Sequence, residues 1–173
     1  MRIAVTGRPG CGKTTLIRRV VEQLREKLNI GGIYTEELRE GGERRGFAIV
    51  DIATGRRGIL AHVALQGGPR LGKYRINLKG IEEVAIPAIE EALRTKDLVV
   101  IDEVAPMELK SPGFVRVVEE LLESPKPLLF AIHRRADHPL LEQIRQEFQI
   151  WEITPANRDR LPGEIAALFA TNR

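Results

Sequence analysis

Residues 7–14, GRPGCGKT, constrain this chain more than any other stretch. The run follows RIAVT, a short apolar segment of the kind that forms a buried strand. It precedes TTLIRRVVEQLREKL, where Leu16, Ile17, Val20, Val21, Leu24 and Leu28 recur at helical spacing along one face. Strand, glycine-rich turn and helix are the setting in which the pattern G-x-x-x-x-G-K-[ST] binds phosphate, and GRPGCGKT matches it in full. Gly7, Gly10 and Gly12 let successive backbone N–H groups point inward beside a positive helix end, which makes a nest for phosphate oxygens. Arg8, Pro9 and Cys11 fill the variable positions of the same nucleotide-binding loop. Lys13 brings a mobile full charge toward the β- and γ-phosphates, and Thr14 offers a hydroxyl to magnesium, a cation that prefers oxygen ligands. Thr15 either approaches the α-phosphate or is simply first-turn helix. A glycine turn with a purely structural role would need neither Lys13 nor Thr14.

Farther along, the pattern of a strand followed by a helix repeats. IEEVAIPAIEEAL predicts a helix over 81–94, with Pro87 kinking it or marking its true start. LVVID reads as a strand, and Ser111 with Pro112 as the N-cap and first-turn proline of the helix GFVRVVEELLE. PLLFAIH is a strand, 137–148 a helix, IWEIT a strand and LPGEIAALFA the closing helix. Strands alternating with helices imply a parallel sheet covered on both faces, an α/β fold in three layers. The middle departs from this: GGIYTEEL and the two short runs around the turn Ala53-Thr54-Gly55 predict an antiparallel hairpin inserted at roughly 31–75. Residues 64–75, rich in glycine, read as a mobile loop. With no convincing linker, the expectation is one domain over 1–173.

The run LVVIDE ends in two adjacent carboxylates, Asp102 and Glu103. A buried carboxylate without a partner is costly. Parallel sheets carry functional residues at the carboxyl ends of their strands, the edge from which the phosphate loop also emerges. Asp102 is therefore expected beside the nucleotide's Mg2+, with Thr14, that dication being the missing positive partner. Side chains alternate along a strand, so Glu103 is free to face the γ-phosphate separately and to orient or deprotonate a water, which makes Glu103 and Lys13 the catalytic candidates. The plainer alternative is that Glu103 pairs with an arginine or caps the next segment.

Composition narrows the setting. Net charge is +3, but basic and acidic residues interleave in stretches such as IRRVVEQLREKL, a solvated helix face that gives nucleic-acid binding little support. The lone cysteine, Cys11, excludes an internal disulfide and points to a reducing, cytoplasmic setting. No signal-like segment and no run near the roughly 18 apolar residues of a membrane span are present, so no membrane association is expected. A monomer is the expectation. Charged residues at 29% with few Cys and Met match the bias of heat-adapted proteins.

Taken with GGIYTEELREGGERRGF, GKY at 72–74, VVIDEVAPMEL and TPANRD at 154–159, the chain resembles, along nearly its whole length, the small nucleoside-triphosphatase family of thermophiles whose animal members are called cancer-related nucleoside triphosphatases. The resemblance implies a RecA-like P-loop NTPase fold without large accessory domains. It also implies magnesium-dependent hydrolysis of ATP, GTP and other NTPs to diphosphates with loose base selectivity, and it sets Asn157, with Arg158 and Asp159, at the border of the base. Asn157 has a second reading as a cap of the last helix. One departure is Ala105, where the family pattern has the glycine of a DEIG-like segment. Within the resembling segment, Glu36, Arg39 and Arg44 are candidates to close over the phosphates or members of an ordinary charged hairpin. In FAIHRR, His133 is either a sensor of the γ-phosphate or a satisfied strand-end histidine, and Arg134 and Arg135 are either charge-stabilising fingers or solvated arginines. Glu108 has no spacing that assigns it a task. A nucleotide or small-molecule kinase, sharing the phosphate loop, remains the alternative activity, and a nucleotide-dependent binding module ranks behind both.

Overall fold

Ile3 and Val5 pack into one apolar cluster while Ala4 packs into another, the period of two that a strand imposes. Val99 and Ile101 against Leu98 and Val100 repeat this separation, as do Leu128, Phe130 and Ile132 against Leu129 and Ala131. Each of these strands is buried on both faces, so each reads as a continuous apolar run. The structure, a computed structural model, describes residues 1–171. Its nine-stranded sheet has the order β5 (Arg70–Leu71), β6 (Tyr74–Ile76), β4 (Arg57–His62), β3 (Glu43–Asp51), β2 (Ile30–Glu40), β7 (Leu98–Val104), β8 (Leu128–Ile132), β1 (Arg2–Thr6), β9 (Gln149–Glu152). The parallel part comprises β1 (Arg2–Thr6), β7 (Leu98–Val104), β8 (Leu128–Ile132), β9 (Gln149–Glu152) and the first half of β2 (Ile30–Glu40).

Helices α1 (Lys13–Leu24) and α7 (Leu161–Thr171) cover one face through Leu16, Ile17, Val20, Ile165 and Phe169. The other face carries α3 (Ile86–Thr95), α5 (Pro112–Glu123) and α6 (Pro139–Glu147). The expected cap of α5 is present, the Phe114 N–H donating to Ser111 Oγ at 3.1 Å. For α6 the cap is His138, whose Nδ1 accepts from the Leu140 N–H. No helix among the described residues is long and apolar enough to cross a membrane.

Three local expectations are revised. The first helix stops at Leu24 instead of reaching Leu28; the Lys27 N–H bonds the Leu24 carbonyl three residues back, and this tighter turn still buries Leu28. Around Pro87 the α-helix α3 does begin, at Ile86 with the proline in its first turn, but it continues a helical stretch that starts earlier. The short helix α2 (Leu78–Gly80) passes into a π-helical turn, Ile81–Ala85, and then into α3. Pro87 has no N–H, and in a regular helix its ring would strike the carbonyl four residues earlier; the wide turn, closed by the Ile86 N–H on the Ile81 carbonyl, relieves both problems. The glycine-rich segment 64–75 is not loop throughout: β5 (Arg70–Leu71) and β6 (Tyr74–Ile76) form a small antiparallel hairpin that pairs with β4 (Arg57–His62).

The inserted hairpin is β2 with β3 (Glu43–Asp51), followed by β4, all antiparallel. β2 therefore serves two neighbours. Ile30–Ile33 pair in parallel with Leu98–Ile101, and Ile33–Glu40 pair in antiparallel with β3. Gly32 lies in this change of partners with φ at 118°, and a Cβ there would stand 1.9 Å from the Val100 carbonyl oxygen. Only glycine avoids both the strain and the clash. Gly32→Ala is expected to cost about 3 kcal/mol or more, lowering the Tm by roughly 6–12 °C in a thermal melt; an unchanged Tm would mean that β2 does not pass β7 as closely as described.

Candidate active site

Gly12 caps α1 in the left-handed conformation, φ 103° and ψ 23°, and Gly10 also has a positive φ. No side chain caps the helix and no acid lies in its first turn, so its leading amides and Lys13 meet no local negative charge. Gly7 is buried, with space for a Cβ closed by Cys11 Sγ at 2.6 Å and Ile153 Cγ2 at 2.8 Å. Arg8, Pro9, Gly10, Gly12, Lys13, Thr14 and Thr15 line a cleft of about 1230 Å3, whereas Cys11 packs half-buried behind it against the apolar cluster of α1.

Two strands away, Asp102 is wholly buried. Its Oδ1 faces Thr14 Oγ1 at 3.4 Å, long for a hydroxyl hydrogen bond, and its Oδ2 has no partner among the described residues. Burial first, and the neighbouring Glu103 charge second, push its carboxyl up to about 7; Arg18 and hydrogen bonds from Thr35 and Thr14 oppose the rise. A carboxylate with one oxygen left over and the other facing a hydroxyl on the phosphate-loop helix is a donor set that fits a small hard dication.

Glu103 is, among the described residues, the one non-glycine residue with a positive φ, 124°. The cause lies in the ladder. Asp102 pairs with Ala131 but Val104 with Ile132, so Glu103 is the extra residue of a bulge between β7 and β8. The bulge takes Glu103 out of the strand's alternation and into the lining of the cleft while Asp102 stays inside. Beyond it Ala105 is extended, φ −143° and ψ 172°, a conformation that needs no glycine. The four-residue helix α4 (Pro106–Leu109) follows, and Glu108 reaches back so that its Oε2 accepts the Ala105 N–H at 3.2 Å. Glu108 is 3% exposed, and burial, then the Glu103 charge, raise its carboxyl well above the ordinary range.

The remaining candidates divide. His133 lines the cleft, its Nδ1 accepting from the Arg135 and Ala136 N–H groups, so the neutral ring carries its proton on Nε2. Arg134 and Arg135 also line it, Arg134 lying 3.7 Å from Glu152. Glu36 joins Arg18 at 3.0 Å and Arg57 at 2.7 Å, and the hydrogen bond from Arg57 leads the lowering of its carboxyl pKa. Arg44 reaches the cleft with Glu37 at 3.3 Å, while Arg39 turns to Glu37 and the Gly42 carbonyl, outside the lining. Asn157 lies in the loop after β9, its Oδ1 accepting from the Thr154 N–H at 2.8 Å and its Nδ2 donating to the Glu152 carbonyl at 2.9 Å; Arg158 and Asp159 are exposed there.

Sequence reasoning missed Arg18 and Glu108. Arg18 stands four residues after Thr14, hence on the same helix face, and its guanidinium lies over the Tyr34 ring at 4.4 Å; that spacing was the available signal. Glu108 gave none, because its role depends on the turn at Ala105.

Comparison with known proteins bears on this geometry. A family model described as NTPase matches residues 2–166. The nucleoside-triphosphatase THEP1 of Methanosarcina acetivorans is 50% identical over 171 residues, covering 98% of this chain and 97% of that protein. The THEP1 of Archaeoglobus fulgidus is 47% identical over 170 residues, covering 98% and 99%. Among solved structures, THEP1 from Aquifex aeolicus superposes with a TM-score of 0.89 at 34% identity over 98% of this chain and 99% of that one. A human cancer-related nucleoside triphosphatase superposes at 0.83, also 34% identical, over 99% and 98%. The match spans the phosphate loop, the paired acids and the hairpin alike: this chain belongs to the NTPase family and is a P-loop hydrolase of nucleoside triphosphates.

Proposed function

We propose that the protein hydrolyses the terminal phosphoanhydride of ATP, GTP, CTP and UTP in a magnesium-dependent reaction with little preference for the base. The observation that carries this reading is Glu103, held by a strained bulge in the same cleft as the phosphate loop. The loop amides and Lys13 hold the phosphate oxygens. The Glu103 carboxylate takes a proton from a water whose oxygen attacks the terminal phosphorus. The bond to the bridging oxygen breaks, and the diphosphate leaves. Thr14 Oγ1 and the Asp102 carboxylate would hold Mg2+, which when bound neutralises phosphate charge; two protein donors suit a cation that keeps waters and phosphate oxygens as its other ligands. His133 Nε2–H is a further donor suited to a terminal phosphate oxygen. Asn157, which the resemblance sets beside the base, lies outside the cleft lining with both ends of its amide engaged by backbone, which fits weak base selectivity.

Arg18 takes the place that the hairpin arginines were expected to fill. It stands in the cleft on the helix that carries Lys13 and Thr14, near enough to Asp102 to lower its pKa, and its ion pair with Glu36 is about a third exposed and so only weakly held. A guanidinium there stabilises charge that develops on the phosphoryl oxygens. Glu108 acts through the Ala105 N–H that it accepts, fixing the turn that follows Glu103.

Phosphate release from the four nucleotides, with and without Mg2+ and with no acceptor present, tests the reading directly. Release is expected from all four only with the metal, and Glu103→Gln is expected to lower it by about 10²–10⁴-fold with nucleotide affinity retained; wild-type turnover in that variant removes Glu103 from the chemistry. Arg18→Ala is expected to slow turnover by at least about tenfold while Arg39→Ala leaves it within about twofold; the reverse ranking would return the role to the hairpin. Because folding raises the pKa of Glu108, its contribution to stability is greatest below the unfolded value near 4.5 and falls as pH rises toward the folded one. Metal-free Glu108→Gln should therefore show a smaller loss of Tm than wild type between pH 5 and pH 8, about those limits being readily scanned; equal slopes would show that Glu108 does not titrate differently on folding.

A further inference from the structure

The cleft is larger than a single ligand needs. Its volume of about 1230 Å3 exceeds the roughly 300–1,000 Å3 usual for a small-molecule pocket. Its lining follows the order of the strands. From the loop after β1 it passes His133 after β8 and Glu103 on β7, then Thr35 and Glu36 on β2, and continues to Phe47 on β3 and Leu60 on β4. Adjacent strands are about 4.8 Å apart, which puts the strand of Phe47 on the order of 10 Å past that of Glu103, on the side away from the phosphate loop.

The chemistry changes along the way. At the loop end the lining is glycine, lysine and threonine; at the far end it is Phe47, Leu60, Leu71, Tyr74 and Met107. The Phe47 and Tyr74 rings meet edge to face, with centroids 5.3 Å apart. Of the charged groups lining this end, Arg44 and Glu37 pair with each other and Glu108 is engaged by the Ala105 N–H; the Arg44 guanidinium lies 5.6 Å from the Phe47 ring centre. An apolar wall with aromatic faces and a compensated charge suits a neutral aromatic body. Glu103 stands between the phosphate loop and this wall in the order of the strands, so an acceptor on the wall and a phosphate tail in the loop would approach it from opposite sides.

Resting on the triphosphatase reading, we propose that this apolar end is a second-substrate site for a small neutral aromatic alcohol, to which the protein transfers the terminal phosphoryl group. The alcohol oxygen attacks the terminal phosphorus, and its proton passes to the Glu103 carboxylate. The bond to the bridging oxygen breaks, its electron pair leaving with the nucleoside diphosphate, and the product is a phosphomonoester. Water takes the alcohol's place when the site is empty, which gives simple hydrolysis. The same residues thus serve both acceptors.

The test uses the full chain with Mg2+ and ATP labelled in the terminal phosphate, in the presence of 2-phenylethanol, tyrosol or adenosine. At least one of the three is expected to yield a labelled phosphomonoester that saturates with alcohol concentration. Phe47→Ala and Met107→Ala, both at half-buried positions and checked by melting, should each lower the ratio of ester to free phosphate by about tenfold, on the scale of a few lost apolar contacts. Label found only in inorganic phosphate with all three alcohols overturns the proposal and leaves hydrolysis standing; no release of label at all defeats the triphosphatase reading with it. An ester ratio unchanged in both variants overturns it too. So does a tenfold loss of ATP affinity in either variant, because the wall would then hold the nucleotide's own base.

Discussion

At Asp102 the β7 ladder is still in register with β8, and by Val104 it has slipped by one residue. The different placing of the two acids follows from that slip. A residue outside glycine at φ 124° costs of order 1–3 kcal/mol and persists only where its surroundings over-determine it. Here they do. The Val104 carbonyl accepts the His133 N–H at 3.1 Å, Val104 and Ala105 are buried, and Glu108 closes the turn on the Ala105 N–H. The strain separates two adjacent acids into different environments, one without water and one facing the cleft, so that neighbouring carboxylates can take on different work.

The second determinant is where β2 leaves β7. Their parallel pairing ends at Ile33 and Ile101, and past that point the Thr35 hydroxyl donates to the Asp102 carbonyl at 2.9 Å, across a gap that no ladder bond spans. Crevices in α/β sheets open where neighbouring strands diverge at their carboxyl ends. Thr35, Glu36 and Glu37 line the cleft because β2 continues outward with β3 as its partner. The cleft is therefore shared between the parallel core, which brings the phosphate loop, and the hairpin, which brings apolar side chains.

Much of this was legible in the residues. The phosphate loop could be read because its chemistry is local: the glycines, Lys13 and Thr14 are contiguous, and the strand and helix around them are patterned. The paired acids could be read because an apolar run ending in carboxylates has few explanations. The bulge could not, since a register slip depends on how β7 meets β8, strands separated by α4 and α5. Arg18 was hidden among the charges of an amphipathic helix whose outer face is also basic. The π-helical turn before Pro87 and the small β5–β6 hairpin were missed for a related reason. Both are compromises with tertiary neighbours, the first with a ring that must be accommodated and the second with the edge of β4.

Because one strand carries both the parallel ladder to β7 and the antiparallel ladder to β3, the protein has no seam along which a minimal nucleotide-binding unit could be cut. Removing the hairpin would strip β2 of a neighbour along Ile33–Glu40 and bare a long row of amides and carbonyls to solvent, an invitation to stack with other chains. It would also leave Thr35, which steadies the backbone of Asp102, on a strand without that neighbour. What looks like an ornament on a simple scaffold is the selvedge that keeps the weave from fraying.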